Sequence, residues 1–325
     1  MFESKILDSY RFFMYIPLHW HSTYSFLEAI WKPKDIVKKA KQLWLSAIWL
    51  TDIDVMYWAI QFYQAAKDEE INPIIWVEIG FTLDINNITN LKSVGSLCLI
   101  ATSEEGYLNL MKIVSYASQD GFKGRPTMDI HILEECKGWL IWFCWWIDSW
   151  IFKLLSASES LSRIEEIVVM IRDILWKDNF YFEMIAQDEK IHWNIAQVNK
   201  TILSLSEKLK IPCIVNNIYL YPNSDDKTTQ ELAMAIKDNV KIYDPQHRVT
   251  NTKSYIMLED EIVDICKNNW YSEDLIKTWV DNTQIIADRC DVFIRMKQLL
   301  FPKYAVEEDV LEVYEQHKDD LIIED

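Results

Sequence analysis

The sequence predicts an α/β fold built on a parallel sheet, either open or closed into a barrel. Short apolar runs alternate with amphipathic runs along residues 13–216, and this alternation is typical of helices that connect parallel strands. Half of the 325 residues are apolar, 26% are charged, and low-complexity tracts are absent. The chain is therefore folded and long enough for one large domain or two ordinary ones.

The elements follow one another in a regular order. Apolar runs of five to eight residues predict strands at residues 13–20, 46–51, 73–78, 97–102, 139–144, 180–185 and 212–216. Apolar residues three and four apart predict intervening helices at residues 34–43, 55–67, 104–117, 161–175 and 194–209. After about residue 225 the strands stop, and the same spacing predicts helices at residues 228–237, 258–267 and 273–289.

Charge and cysteine content exclude several classes of protein. The chain has 33 basic and 50 acidic residues, and its net charge of −17 disfavours a free-standing nucleic-acid binder, which needs a clustered basic face. The six cysteines form no CxxC pair, which is typical of reduced thiols in a cytosolic protein. The N-terminus lacks a secretory pattern, and the longest apolar run, residues 139–147, is too short to cross a bilayer. We therefore expect a cytoplasmic protein without a membrane partner.

The ends of the first three predicted strands carry a candidate metal site. His19 and His21 lie two apart, so both imidazoles point to one face of a strand, and Asp52 and Glu78 end the next two strands. Glu28 could add a ligand from the first loop. At the common edge of a parallel barrel this set would hold Zn, Mn or Fe and activate water for phosphoester hydrolysis. The alternative is a chance histidine pair, with acids that cap the following helices.

Longer motifs make the sequence recognisable. They occur in the order HWHSTYSFLE at 19–28, IVKKAKQL at 36–43, LTD at 50–52, FYQAAK at 62–67, NPIIWVE at 72–78 and EEGYLNL at 104–110. Together with residues 138–146 and 211–219, they resemble the PHP (polymerase and histidinol phosphatase) domain of the bacterial replicative DNA polymerase III alpha subunit. The segment from Asp244-Pro245 through residues 282–290 resembles the connection between this domain and the polymerase palm.

The resemblance covers roughly residues 12–305. It implies a distorted seven-stranded (βα)7 PHP barrel at residues 1–225, a helical extension and linker toward the palm at 226–305, and an acidic helical tail, the start of the polymerase region, at 306–325. The palm carboxylates that carry polymerase chemistry lie downstream of a PHP domain and are absent from this chain. We therefore expect a fragment of a longer subunit, the product of a split gene or a stand-alone PHP protein.

The ligand pattern of the resembled family is only partly present. Active members bind a metal cluster through ligands from many strand ends, and the resemblance assigns this role to His19, His21, Glu28, Asp52 and Glu78. Residues of weak or no ligating capacity stand at further ligand positions, namely Ile53, Ser96, Trp146, Asn217 and Tyr219. We therefore expect an eroded site without a cofactor, whose polar groups hydrogen-bond to one another. The alternative is a site that still binds Zn, Mn or Fe.

Two functions follow from the resemblance. The first is a structural and interaction domain in DNA replication, in contact with the remaining polymerase III alpha domains and with a proofreading exonuclease, while DNA is contacted only indirectly. The second is an active metal-dependent phosphoesterase or 3′ to 5′ exonuclease of the PHP class. The helices after residue 225 favour the first function, and the surviving histidines and acids favour the second.

Glycine and tryptophan occur in unusual numbers. The chain has 6 Gly and 15 Trp, whereas globular chains contain about 7% Gly. Three Trp follow predicted helices where a left-handed residue, usually Gly, ends a helix: Trp44, Trp176 and Trp270. The resembled family commonly has Gly at Trp44, Trp58, Trp76, Trp145 and Trp193. We interpret most of these Trp as Gly encoded by UGA in a lineage that reads this codon as glycine, which UGG codons at Trp44, Trp76 and Trp176 would exclude.

Overall fold

A computed structural model describes residues 15–88, 94–144, 149, 153, 160–175, 177–245, 247–248 and 252–296. Within these ranges the strands are β1 (His19–Trp20), β2 (Ala47–Ile53), β3 (Asn72–Phe81), β4 (Gly95–Ala101), β5 (Thr127–Met128), β6 (Leu140–Cys144), β7 (Phe180–Ile185), β8 (Cys213–Asn216) and β9 (Ile218–Tyr219). The predicted tail at 306–325 lies outside the described residues, as do Trp145, Trp146 and Trp176.

Nine α-helices occur among the strands and after them along the described part of the chain. They are α1 (Pro33–Gln42), α2 (Ala59–Asp68), α3 (Glu104–Gln119), α4 (Ile130–Cys136), α5 (Leu161–Leu175), α6 (Trp193–Leu209), α7 (Lys227–Lys237), α8 (Glu259–Asn268) and α9 (Glu273–Asp288). Local signals explain several starts: the side chains of Ser103, Asp129 and Ser272 each accept a hydrogen bond from a backbone N–H in the first turn. Pro33 begins α1, where its missing N–H leaves no bond unmade.

The strands form a curled sheet of the barrel type. The main sheet follows the order β2-β3-β4-β6-β7-β8, with β5 paired to the end of β3. Strands β1 and β9 pair in parallel with each other in a second, two-stranded sheet. Strand β9 follows β8 directly in the chain, so it lies near one edge of the main sheet. Just after β1, the backbone N–H of Ser22 donates to Asp52 of β2, at the other edge. The small sheet therefore lies between the two edges of the main one. The predicted α/β barrel architecture is confirmed.

The prediction of an entirely parallel sheet is wrong at β4. This strand runs antiparallel to both of its neighbours, β3 and β6, while the β2–β3, β6–β7 and β7–β8 pairs are parallel. Parallel neighbours need a crossover connection, usually a helix. Among the described residues between β3 and β4, only the short 3₁₀ turn Ile85–Asn87 is helical, so the chain returns in the opposite direction.

The apolar core fills the inside of the curled sheet. Its buried side chains come from every strand of the main sheet except β5, and they include Trp49, Trp76, Ile100, Phe143, Tyr181 and Ile214. Ile286 and Ala287 of α9 and Cys290 just after it belong to the same cluster. The carbonyl of Cys290 accepts a bond from Asn72 Nδ2 at the start of β3, at 2.9 Å. The end of α9 therefore closes the barrel at the amino ends of its parallel strands.

The chain through Phe293 clusters into one compact unit. Cys136, Cys213, Cys266 and Cys290 are free thiols and are buried, as the sequence predicted, and Cys98 is buried as well. None of the helices in the described ranges combines the length and the apolar character that a bilayer crossing requires.

Candidate metal centre

Polar side chains replace apolar ones at one end of the barrel interior. Side chains two apart on a strand share a face, so the inward positions next to the apolar layer, toward the carboxyl ends of the parallel strands, are Thr51, Glu78, Glu183 and Asn216. On the antiparallel β4 the same end is reached at Ser96, two residues before the core residue Cys98. All five polar residues are buried. These five residues form the floor of a region that we call the polar pocket.

The structure brings three of the five predicted ligands together in this pocket. His19, His21 and Glu78 each offer one ligand atom, and these atoms lie within 4.8 Å of one another. His19 Nε2 is 3.8 Å from Glu78 Oε2, and the two imidazole rings stack with their centroids 4.8 Å apart. Trp76 packs edge-on against His19, with ring centroids 4.7 Å apart. The three residues are called the ligand triad below.

Burial keeps both histidines of the triad neutral. Removal from water lowers the pKa of His19 well below its usual value. The pKa of His21 falls to about 3: burial is the largest cause, the neighbouring His19 also lowers it, and Glu78 acts in the opposite direction. A metal ion binds the neutral form of imidazole, so both rings are in the state that ligation requires.

Asp52 is buried beside the triad but is engaged by a loop. Its two carboxylate oxygens accept four hydrogen bonds: Ser22 donates through N at 2.8 Å and Oγ at 2.6 Å, and Ser25 through N at 3.0 Å and Oγ at 2.5 Å. Burial raises the pKa of Asp52, and the bonds from Ser22 and Ser25 partly reverse that rise. Asp52 therefore fixes the loop that follows β1 and is not part of the triad.

Glu28 points to a different partner. One of its carboxylate oxygens lies 2.8 Å from Lys237 Nζ on α7 and 3.3 Å from Arg248 Nη2. Arg248 is held in turn by Asp238, through Nε and Nη2. Glu28 therefore connects the first loop to the helical region, and the structure does not bring it into the ligand triad.

Protein groups engage three of the substituted positions. Ser96 Oγ accepts a bond from Arg125 Nη1 at 3.3 Å. Asn217 accepts from Gln187 Nε2 at 2.7 Å and donates to the Lys253 carbonyl at 2.6 Å. The hydroxyls of Tyr219 and Tyr15 share a bond of 2.8 Å. The side chain of Ile53 is apolar and cannot make a hydrogen bond, and Trp146 lies outside the described residues.

Sequence reasoning missed Glu183 and Arg125. Glu183 is the one acid in the apolar strand β7, which was the available signal, and burial raises its pKa well above the usual value, with Glu78 raising it further. Arg125 makes a bidentate ion pair with Asp54, at 2.8 and 3.1 Å, next to Ser96. The sequence offered no signal for this pair, because the two residues are 71 positions apart.

The ligand triad fits a metal ion by its chemistry. Two neutral imidazoles and one carboxylate are the donor set of several Zn sites and, with open positions, of non-haem Fe(II) sites. Ligand atoms around a tetrahedral Zn, at bond lengths of about 2.0–2.1 Å, lie about 3.4 Å apart. The 3.8 Å between His19 and Glu78 is close to that value, and small side-chain movements would bring His21 within reach.

Comparison with known proteins identifies relatives of this chain by sequence. The sequence model of the family described as "PHP domain" matches residues 17–187. DNA polymerase III subunit alpha of Borreliella burgdorferi is 30% identical over 93% of this chain and 26% of its own length. The protein of the same name from Chlamydia trachomatis is 26% identical over 90% of this chain and 26% of its own length. The chain thus spans about a quarter of the length of these relatives.

Likeness to solved structures is more distant. An amidohydrolase from Chromobacterium violaceum aligns with 65% of this chain and 89% of its own, at 11% identity and a TM-score of 0.39. A likeness at this level carries no argument about the site. The family match covers more than half of the chain and includes every residue of the triad. By its sequence, this chain belongs to the PHP domain family.

Proposed function

We propose that the chain acts as the PHP domain of a bacterial replicative DNA polymerase III alpha subunit, as a structural and interaction domain in DNA replication. The named relatives match nearly the whole chain, including the helices after residue 225, and this supports the assignment. The relatives are about four times as long as the matched region, and under this proposal polymerase chemistry would lie in the parts of the subunit that this chain does not match.

One observation carries the structural role. Five polar groups in or beside the polar pocket are engaged by the protein itself: Glu28, Asp52, Ser96, Asn217 and Tyr219. Such bonds tie the loops around the pocket to its strands and form a polar core there, while Glu78 Oε2 and both carboxylate oxygens of Glu183 on the pocket floor have no hydrogen-bond partner among the described residues. We propose that this core replaces a multinuclear metal cluster and that the domain has no resident cofactor.

The partners follow from the same assignment. The remaining polymerase III alpha domains and a proofreading exonuclease subunit would contact the domain, and DNA would be reached through those partners. The net charge of −17 agrees with this division, because a strongly acidic domain repels the phosphate backbone. The place of action would be the bacterial cytoplasm.

A second candidate function is metal-dependent phosphoester hydrolysis, as a phosphoesterase or 3′ to 5′ exonuclease. The observation in its favour is the ligand triad, whose three ligand atoms already lie within 4.8 Å of one another. His19, His21 and Glu78 would hold Zn, Mn or Fe, which would lower the pKa of a bound water and supply a nucleophile. The chain's own contribution would be to hold both imidazoles neutral and to keep bulk water out of the pocket.

Metal analysis separates the two candidates. The purified chain is stripped with a chelator, incubated with Zn, Mn or Fe(II) salts, desalted and analysed for metal, and then assayed on a labelled oligonucleotide with Mn. The structural role predicts substoichiometric metal and no cleavage. One metal per chain that His19→Ala abolishes, and that the exposed control His131→Ala retains, would contradict the absence of a cofactor. Cleavage with the same dependence on His19 would establish the second candidate.

A further inference from the structure

A chain of short hydrogen bonds joins a carboxylate to one of the ligand histidines. Ser25 Oγ donates to Asp52 Oδ1 at 2.5 Å, and the same Ser25 oxygen lies 2.9 Å from Nδ1 of His21. All three residues are buried, with exposures of 0–2%. Water therefore does not compete for these bonds, and the protein itself decides where their hydrogens lie.

Counting donors and acceptors assigns the proton on His21. A serine hydroxyl has one hydrogen and two acceptor positions. The hydrogen of Ser25 is used on Asp52, whose Oδ1 also accepts backbone N–H groups, from Ser22 and Ser25. The Ile53 N–H donates to the Ser25 oxygen at 3.2 Å, which leaves one acceptor position facing Nδ1 of His21. The ring must therefore donate to Ser25 from a protonated Nδ1.

We infer that Ser25 and Asp52 are positioning residues that hold neutral His21 as its Nδ1–H tautomer, so that Nε2 carries the lone pair offered to a metal ion in the ligand triad. The metal part of this inference rests on the second candidate function. A neutral imidazole has one acceptor nitrogen, and a ligand histidine is commonly oriented by a hydrogen bond from its other nitrogen. Here a serine stands between the ring and the carboxylate.

The loop geometry explains why this arrangement is rigid. Asp52 is the next-to-last residue of β2, and it anchors the residues after β1 through four bonds to Ser22 and Ser25. The ring of His21 is fixed on its other side by stacking on His19, at 30° between the ring planes. The sheet therefore determines the position of Ser25, and Ser25 determines both the proton position and the orientation of the His21 ring.

The tautomer can be measured without any metal. The apo protein is labelled with ¹⁵N-histidine, and long-range proton–nitrogen correlations at pH 8 distinguish the protonated from the bare ring nitrogen. We expect His21 to be protonated at Nδ1 in the wild type and in Ser22→Ala, and to populate the other tautomer in Ser25→Ala. Ser22→Ala is the matched control, because it also removes a hydroxyl that donates to Asp52, whereas the hydroxyl that lies 2.9 Å from Nδ1 of His21 belongs to Ser25. A wild-type His21 protonated at Nε2 would overturn the inference.

Zinc affinity tests the second part. In a competition titration with a chromophoric chelator, Ser25→Ala should weaken Zn²⁺ binding by roughly 10- to 100-fold, and Ser22→Ala by much less. Equal losses in the two variants would contradict the positioning role of Ser25. If the wild type shows the Nδ1–H tautomer but binds no Zn²⁺, the metal candidate fails while the assignment of the proton stands. The two failures are thus distinguishable.

Discussion

Three tryptophans adopt the left-handed backbone conformation that normally requires glycine. Trp44, Trp139 and Trp270 have φ values of 58°, 59° and 69°. Trp44 and Trp270 follow α1 and α8, at the places where the sequence predicted a left-handed residue, and each is 85% exposed. A residue with a Cβ loses about 1–2 kcal/mol in this conformation, and an exposed indole regains little of it by packing.

Several buried tryptophans also fit their surroundings poorly. Within the described part of the chain, the Nε1–H groups of four buried tryptophans have no hydrogen-bond partner: Trp31, Trp49, Trp76 and Trp142. Each unsatisfied donor costs about 1–3 kcal/mol. Trp58 differs, since it is buried with a right-handed backbone and donates to the Val55 carbonyl. These features support the interpretation that most Trp positions are Gly in the organism, which the codons decide.

The first prediction concerns Trp44 and stability. Trp44→Gly should raise the free energy of unfolding by about 1 kcal/mol, because relief of the left-handed strain exceeds the greater freedom of glycine in the unfolded chain. Denaturant unfolding followed by circular dichroism measures the change. As a control, Trp279→Gly in α9 should destabilise by several kcal/mol, since that indole is buried. A loss of stability in Trp44→Gly would contradict the strain argument.

The second prediction concerns pH and the buried histidines. His21 stays neutral when folded, with its pKa lowered to about 3 mainly by burial, but it titrates near 6.5 when unfolded. The unfolded state therefore binds more protons below pH 6.5, and the stability that His21 contributes falls as pH falls. From pH 6.5 to 5.5, in metal-free buffer, the wild type should lose about 1 kcal/mol relative to His21→Gln.

The comparison with the variant is needed because Glu183 acts in the opposite direction. Burial raises the pKa of Glu183, so the folded state holds a proton that the unfolded state releases. The contribution of Glu183 to the free energy of unfolding therefore increases as pH falls. His131→Gln, at an exposed position, should show the same pH dependence as the wild type. A difference between wild type and His21→Gln that stays constant over this pH range would mean that His21 is not held neutral.

At the scale of elements, α9 is part of the barrel although it follows the last strand by more than 50 residues. Ile286 and Ala287 belong to the barrel core, and the Asn282 side chain donates to the Cys213 carbonyl of β8 at 2.7 Å. Thr283 Oγ1 accepts the N–H of Ile16 at 3.1 Å. The helix thus ties the first described residues to the last strand of the main sheet.

The third prediction tests this role of α9. Ile286→Ala should lower the free energy of unfolding by roughly 2–5 kcal/mol, because it leaves a cavity in the barrel core. The neighbouring Ile285 is 40% exposed, so Ile285→Ala should change stability by about 0.5 kcal/mol or less. Both are read from denaturant unfolding. Similar small effects from the two variants would show that α9 packs loosely on an independently stable barrel.

At the scale of the whole molecule, net charge is the property that bears on the proposed role of the domain. A net charge of −17 on 325 residues repels polyanions, and the chain spans about a quarter of the polymerase subunits it resembles. Ion pairs such as Lys237–Glu28 and Lys208–Glu165 already neutralise part of the basic side chains. The molecule as a whole therefore agrees better with protein partners than with direct DNA contact.

The fourth prediction follows from this charge. A fluorescein-labelled single-stranded oligonucleotide should show no binding to the chain by anisotropy up to about 100 µM protein at 0.15 M salt, where non-specific binders have Kd values of about 1–100 µM. The same measurement at 0.02 M salt is the control for weak electrostatic binding. Micromolar affinity that weakens steeply with salt would contradict indirect contact with DNA.

Local patterns in the sequence determined much of this protein by themselves. Most strand and helix positions follow from hydrophobic spacing, and the turn at Trp44 from the end of a helix, because each depends on residues close in the chain. The strand predicted at 13–20 is an exception: among the described residues only His19–Trp20 form a strand, and residues 15–18 do not. The small elements β5, α4 and β9 were not predicted, since two to seven residues carry too weak a periodic signal.

Only the tertiary structure decided which polar residues meet. Sequence spacing made Asp52 and Glu78 equivalent strand ends, but the pleat turns Glu78 toward the histidines, while the loop after β1 engages Asp52. The reversal of β4 goes with a connection from β3 whose described residues form only a short 3₁₀ turn, and the approach of Arg125 to Asp54 depends on how loops fold over the sheet. Such contacts join residues far apart in the chain, and no local pattern records them.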